Sequence, residues 1–302
     1  MDTEQKLCCF CSDDVEEVLI TLNRLAMKKI LLVFDGNHFS EGAFAFAREL
    51  NEKDPILLTG VFLPQADFVD LWSYTDGAMI GPLFLSRIEG EEPGKLEKNI
   101  THFETLCLKN GIDFRVHKDF NELVLPELIK ETRFADLLII GSESFFASLG
   151  THEPNDFLKD TLHEVECPVL VVPEDFSFPK TNVLAYDGSR SSVYAIKQFA
   201  YLFPEFSGNT TILVYAKENG ELSLPDEINM EELVARHYKD LTITKLNADA
   251  KDYFRTPILE RKKALVVSGS FGRTGLSTLF KKSFVNDLIR DHKIPVFSAP
   301  RK

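Results

Sequence analysis

Three blocks of this sequence occur twice, in the same order. Lys28–Ser40 (KKILLVFDGNHFS) is matched by Lys180–Ser192 (KTNVLAYDGSRSS), each an apolar run ending in Asp-Gly with serine a few positions on. Ala135–Ser142 (ADLLIIGS) is matched by Ala264–Ser270 (ALVVSGS), and Cys167–Pro173 (CPVLVVP) by Ile294–Pro300 (IPVFSAP). Asp35 and Asp187 lie 152 residues apart, Gly141 and Gly269 lie 128 apart, and Pro168 and Pro295 lie 127 apart. One fold used twice accounts for the pattern. An insertion in the first copy explains the falling offset, and 63–92 is the candidate. A chain of 302 residues is long enough for two cores. The expected division is an extension at 1–26, a first domain at 27–173, a linker at 174–180 (EDFSFPK) and a second domain at 181–302.

Each copy alternates short apolar runs with amphipathic stretches. Ile30–Phe34, Ile56–Phe62, Ile112–His117, Leu137–Ile140 and Val169–Val172 have strand length. Between them, Ala43–Leu50, Lys95–Asn110, Glu122–Arg133 and Asp156–Val165 carry apolar residues at helical spacing, and Ser40 stands ready to cap the first. Copy two repeats the alternation: strands at Val183–Tyr186, Thr211–Tyr215, Thr242–Leu246, Leu265–Val267 and Val296–Ser298, helices at Tyr194–Leu202, Met230–His237, Tyr253–Lys262 and Ser283–Arg290. Continuous apolar strands separated by helices imply a mostly parallel sheet covered on both faces. The fold class is α/β, with two doubly wound domains of five strands each and a ligand crevice beyond the strand carboxyl ends. The two last strands, left as open edges, are expected to pair and make an intramolecular pseudo-dimer.

Composition narrows the function. No apolar run is long enough to span a bilayer, and 1–12 lacks the basic start of a signal peptide, so a cytoplasmic protein is expected. Five cysteines make no disulfide framework; Cys107 and Cys167 sit among apolar residues, and Cys8, Cys9 and Cys11 lack a second ligand pair. The net charge of −13 is unevenly spread: 27–178 hold 13 basic and 27 acidic residues, whereas 179–302 hold 19 and 14. An anionic ligand therefore favours the C-terminal part. Neither a nucleic-acid patch nor a nucleophile elbow is present, so no nucleic-acid partner and no covalent hydrolysis is expected.

The fourth strand of copy two runs into Gly269-Ser-Phe-Gly272-Arg273-Thr-Gly275, and Lys282-Ser283 opens the last helix. Glycine-rich backbone lets amides approach a phosphate closely, and a serine cap places its hydroxyl beside the positive end of its helix. Asp187 and Gly188 end the first strand. An aspartate in that place also suits a turn in which it bonds local amides.

On these residues the chain resembles the universal stress proteins in their tandem form, over residues 27–302, which implies a Rossmann-like fold. The nucleotide-binding members carry G-x2-G-x9-G-[S/T] after the fourth strand and an Asp at the end of the first. Gly269 and Gly272 match the first two glycines, Ser283 the hydroxyl and Asp187 the aspartate; Lys282 replaces the third glycine. The resemblance implies ATP, with Gly269, Gly272 and Ser283 at the phosphates, Asp187 beside adenine and ribose, and Tyr215 and Ala216 flanking the base; Mg2+ is expected with it. Ser270 and Gly188 lie in the same loops and are expected at the nucleotide too, and Arg273 and Lys282 add positive charge there. Lys282 either reaches the phosphates as a point charge or fills their space.

Copy one departs from the motif. Asp35, Gly36 and Gly141 remain, but Ser144 stands for Gly272, Asn155 for Lys282 and Asp156 for Ser283. Aspartate caps a helix, but it opposes a phosphate with a like charge, and Glu143 adds another. Copy one is thus expected to keep the fold and refuse a triphosphate. Three functions follow. The first is adenine-nucleotide binding by copy two in stress response or signalling, with slow hydrolysis at most, because no general base is visible. The second is a nucleotide-free scaffold with Lys282 in the pocket and 63–92 on a partner. The third is an enzyme of the related adenine-nucleotide hydrolases, for which no catalytic acid is found. Whether the fused pair forms a further homodimer is left open.

Overall fold

The computed structural model describes residues 27–35, 38–63, 94–118, 124–143, 164–217, 223–247, 263–269 and 293–299. Copy one contains β1 (Lys28–Asp35), α1 (Glu41–Lys53), β2 (Ile56–Leu63), α2 (Lys95–Lys109), β3 (Asp113–His117), α3 (Val124–Thr132), β4 (Leu137–Gly141) and β5 (Val169–Val172). Copy two contains β6 (Thr181–Tyr186), α4 (Arg190–Leu202), a 3₁₀ turn (Pro204–Gly208), β7 (Thr210–Lys217), α5 (Glu227–His237), β8 (Asp240–Asn247), β9 (Ala264–Gly269) and β10 (Val296–Ala299). The extension at 1–26, the insertion beyond Leu63, the helices expected at 253–262 and 283–290 and nearly all of that at 156–165 lie outside the described residues.

The ten strands of the described residues form one sheet, in the order β3-β2-β1-β4-β5-β10-β9-β6-β7-β8. Neighbours within each copy run parallel. β1 lies between β2 and β4, so the chain leaves it on one side and returns on the other. β6 repeats this between β7 and β9. Those are the switch points where doubly wound folds open a crevice.

The copies meet where β5 pairs antiparallel with β10. Leu170, at the centre, faces Phe297, its own counterpart 127 residues on, while Val169 faces Ser298 and Val171 faces Val296. Val169 thus meets the equivalent of Val171, and Val171 the equivalent of Val169, the self-complementarity of a two-fold interface. This pairing covers both inner edges with hydrogen bonds.

Side chains alternate to two cores, one on each face of the sheet. On one face Phe34, Phe46, Phe62, Phe103, Leu170, Phe199, Phe206, Leu265 and Phe297 are buried with the inner faces of α1, α2, α4 and α5. On the other, Leu31, Val33, Leu138, Val171, Val183, Val266 and Val296 pack with Leu128 of α3. Both cores run through both copies. Cys107 and Cys167 lie in them, and burial pushes each thiol up to about 12, so neither is a nucleophile at neutral pH.

The expected linker carries packing of its own: Phe178 packs 5.1 Å from Phe46 of α1 and 5.5 Å from Phe206 of the 3₁₀ turn, and Phe176 packs 5.5 Å from Phe46. The linker's aromatics stitch the copies together. The first block also slips. Ser40 caps α1 by accepting from the Ala43 N–H, but in copy two that task falls to Ser189, which accepts from Ser192, and α4 starts at Arg190 rather than Tyr194. From Asp35 to its cap is five residues, and from Asp187 two. Copy one holds three extra residues there, Phe39 among them. Among the described residues no helix is long and apolar enough to cross a membrane.

Candidate functional site

The carboxyl ends of β6, β7 and β9 lie side by side in parallel register, and four expected residues fall there. Tyr215 of β7 pairs with Tyr186 of β6, their rings 6.3 Å apart, and Asp187 and Gly188 follow directly. Gly269 ends β9, beside β6. A Cβ added to Gly269 would sit 2.9 Å from the Ser192 nitrogen and 3.0 Å from the Ser191 carbonyl carbon. Glycine there lets the first turn of α4, with its partial positive charge, settle onto the strand end. The hydroxyl of Ser298 on β10 donates to the Gly269 carbonyl at 3.3 Å. The structure thus brings Asp187, Gly188, Tyr215 and Gly269 together around the start of α4. Ala216 continues β7 opposite Leu246 of β8. Ser270, Gly272, Arg273, Lys282 and Ser283 lie outside the described residues.

Asp187 has a local task. Its Oδ1 accepts the Ser189 N–H at 2.9 Å, shaping the turn from which Ser189 caps α4. The residues before α5, which the sequence reading passed over, come back across this turn. The Tyr186 hydroxyl donates to the Pro225 carbonyl at 2.8 Å, and a Cβ on Gly188, at φ +78, would lie 2.9 Å from the Pro225 ring. Burial pushes the Tyr186 phenol above its ordinary value, and the negative charges of Asp226 and Asp187 add to that. The rim here is therefore acidic, suited to hydroxyl donors such as a ribose, while the α4 start beside Gly269 suits an acceptor.

Copy one puts its own side chains at the matching place. Phe39 follows β1 and stacks on Phe34, the penultimate residue of that strand, at 4.5 Å and 16°. Phe34 stacks in turn on Phe62 of β2 at 4.8 Å, and His102 of α2 meets Phe39 edge-on at 4.6 Å. Beyond β4, the Glu143 carboxylate accepts the Glu174 N–H at 3.0 Å and the Ser142 hydroxyl at 2.6 Å. The Glu174 carboxylate accepts the Gly42 N–H of the first turn of α1 at 2.8 Å. Amides that an anion would seek are held by carboxylates. Sequence had flagged Glu143 by its charge; Phe39 and Glu174 gave no signal. Asn155 and Asp156 lie outside the described residues, as does Ser144.

Two surface cavities are defined by described residues elsewhere, of about 460 Å³ along α2 (Gly94, Glu97, Lys98, Thr101, His102, Thr105) and about 390 Å³ between β3 and α3. None of the residues expected at the nucleotide lines them.

No family model and no curated protein matches the sequence. Among solved structures, a universal stress protein from Archaeoglobus fulgidus DSM 4304 matches over 91% of this chain and 96% of its own, at 16% identity and a TM-score of 0.60. A hypothetical protein, PH0823, matches 48% of this chain at 18% identity, with a TM-score of 0.29 that is too low to bear on the fold. The chain has the Rossmann-like fold of that universal stress protein, both copies included.

Proposed function

We propose that this chain acts as a universal stress protein, binding ATP or a related adenine nucleotide through its C-terminal copy in stress response or signalling. One observation carries the reading. Asp187, Gly188, Tyr215 and Gly269 converge at a switch point, where the loop that begins at Gly269 continues as G-x2-G-x9-K-S. The described residues suit an adenosine: acidic groups at Asp187 and Asp226 that favour ribose hydroxyls, and a glycine strand end seated against the positive start of a helix. The phosphates would then fall to Ser270, Gly272, Arg273, Lys282 and Ser283. Mg2+ would ride on phosphate oxygens with waters. The nucleotide, when bound, supplies a transferable phosphoryl group. Among the described residues here none is placed as a general base, which favours binding with slow turnover at most.

Saturating ATP at a hundred times its Kd should add about 2.7 kcal/mol of stability, visible as a rise in melting temperature. Gly272→Val or Ser283→Asp should abolish the rise, and Asp156→Ser should leave it unchanged. A melt that no adenine nucleotide moves supports the second reading, a nucleotide-free scaffold. That reading has its own observation in Pro225 lying across the Asp187–Gly188 turn. Steady hydrolysis well above background would instead make the protein an enzyme.

A further inference from the structure

The seam between the copies holds a carboxylate that the nucleotide site does not use. Glu205 lies in the 3₁₀ turn of copy two, and that turn is pinned from below: the buried Asn182 side chain donates to the Phe206 carbonyl at 2.9 Å and to Thr211 Oγ1 at 3.0 Å. Phe206 then meets Phe178 of the linker, whose ring also carries Lys53 Nζ at 5.2 Å. Glu205 is thereby held against copy one, its side chain 16% exposed.

Its compensation there is poor. Glu205 Oε2 lies 3.9 Å from Lys28 Nζ of β1, but that ammonium sits closer to Asp54, at 3.1 Å. Glu205 Oε1 is buried and accepts no hydrogen bond. One lysine is shared by two carboxylates, and the more buried carboxylate has the weaker claim. An ionised carboxylate in that position costs stability, because desolvation is not repaid.

We propose that Glu205 is an acid-responsive latch between the copies: proton uptake by its carboxylate tightens the seam formed by the 3₁₀ turn, the linker and the edge of copy one. The charged groups facing it are Lys28 on β1 and Lys53 and Asp54 at the end of α1. Burial is the largest influence and raises the Glu205 pKa above the usual glutamate range; its own backbone N–H, Lys28 and Lys53 pull it part of the way back, and Asp54 raises it further. The folded chain therefore holds this proton at a pH where the unfolded chain has released it. Stability rises as pH falls through the folded value towards the ordinary one, and above the folded value the penalty stands in full.

The test compares melting of the full-length protein with that of Glu205→Gln from pH 7.5 to pH 5, other groups cancelling in the difference. Glu205→Gln should melt higher at pH 7.5, by on the order of 2 °C, and the gap should close as pH falls. Asp54→Asn, which leaves Lys28 to Glu205, should move that closure to lower pH. Hydrogen exchange at 174–180 and 204–209, corrected for intrinsic rate, should slow on acidification in the natural chain and stay level in Glu205→Gln. A gap independent of pH, or a Glu205→Gln protein that melts lower at pH 7.5, overturns the latch.

Discussion

The carboxyl edges of the two copies are built on the same strands and finished in opposite ways. Both copies keep an Asp-Gly at the end of the first strand and a glycine at the end of the fourth, but copy two caps α4 after a two-residue step from Asp187. Copy one takes five residues to reach Ser40. Phe39 lies in that longer path and stacks over Phe34, while Glu143 and Glu174 hold the Glu174 and Gly42 amides. Packing in the sheet fixes the strands of both copies alike. It leaves their ends free to diverge, and there one copy has spent its donors on itself. A fold can thus keep its architecture twice while the ends of its strands diverge.

The sharpest probe of this contrast is a single methyl group placed on each edge. Gly42→Ala puts a Cβ 2.3 Å from the Pro173 carbonyl oxygen and 2.6 Å from the Glu174 Cα. Both are backbone atoms, held by the end of β5. Alanine favours helix over glycine by about 1 kcal/mol, so a net loss measures the tightness of the seat. The expected loss is about 3 kcal/mol, the upper end of overpacking costs. Gly269→Ala meets Ser192 and Ser191 at 2.9 to 3.0 Å, and a small shift of α4 relieves it. About 1 kcal/mol should go, together with most of any ATP-dependent stabilisation. Urea unfolding checks both. Equal losses would mean that the two helix starts are seated alike.

What the sequence made legible was whatever repeats or has a period. Matched blocks marked both copies, and apolar runs placed the strands within a residue or two of their ends. The need to cover an edge singled out Val169–Val172 and Val296–Ser298, the strands that join. Polar first turns hid helix starts: Arg190, Ser191 and Ser192 carry no apolar period, so α4 begins four residues before its pattern does. Phe176 and Phe178 were hidden for a different reason. Two aromatics in a short polar stretch look like a loop until Phe46 and Phe206, distant in the chain, supply their partners. At the candidate site, Asp187, Gly188, Tyr215 and Gly269 could be placed because each lies at, just beyond or two residues short of the carboxyl end of a strand. The bond from Tyr186 to Pro225 joins residues 39 apart, and no local pattern announces it.

Phe39→Ser tests whether the ring in copy one is a plug. Phe39 is half-buried, stacked on Phe34 and edge-on to His102. Losing a fully buried phenylalanine costs about 3–5 kcal/mol; half of that area and the ring contacts with Phe34, Phe44 and His102 set the expectation at about 1–2 kcal/mol. The urea midpoint should fall with its slope unchanged. ATP should still leave copy one untouched, because Glu143 and Glu174 keep their amides. A second molar equivalent of ATP bound by Phe39→Ser alone would show that aromatic filling, rather than the carboxylates, closes that edge.

The smallest effect concerns the carboxylate at the start of α1. Glu174→Gln keeps an oxygen for the Gly42 N–H and removes only the charge, so the loss is confined to the attraction between an anion and a helix start, about 0.3–1 kcal/mol at an exposed position. Glu143 lies close and carries like charge, and relief of that repulsion offsets part of the loss. The net change should therefore be about 0.5 kcal/mol of destabilisation, shrinking further in 0.5 M salt, where charge effects are screened over a few ångströms. Glu174→Ala removes the acceptor as well and should cost about 1 kcal/mol, most of it insensitive to salt. In copy two the matching position is Arg301, the opposite charge. If Glu174→Gln proved stabilising, repulsion from Glu143 would outweigh the helix attraction, and the carboxylates of copy one would be a burden on the fold rather than stand-ins for a phosphate.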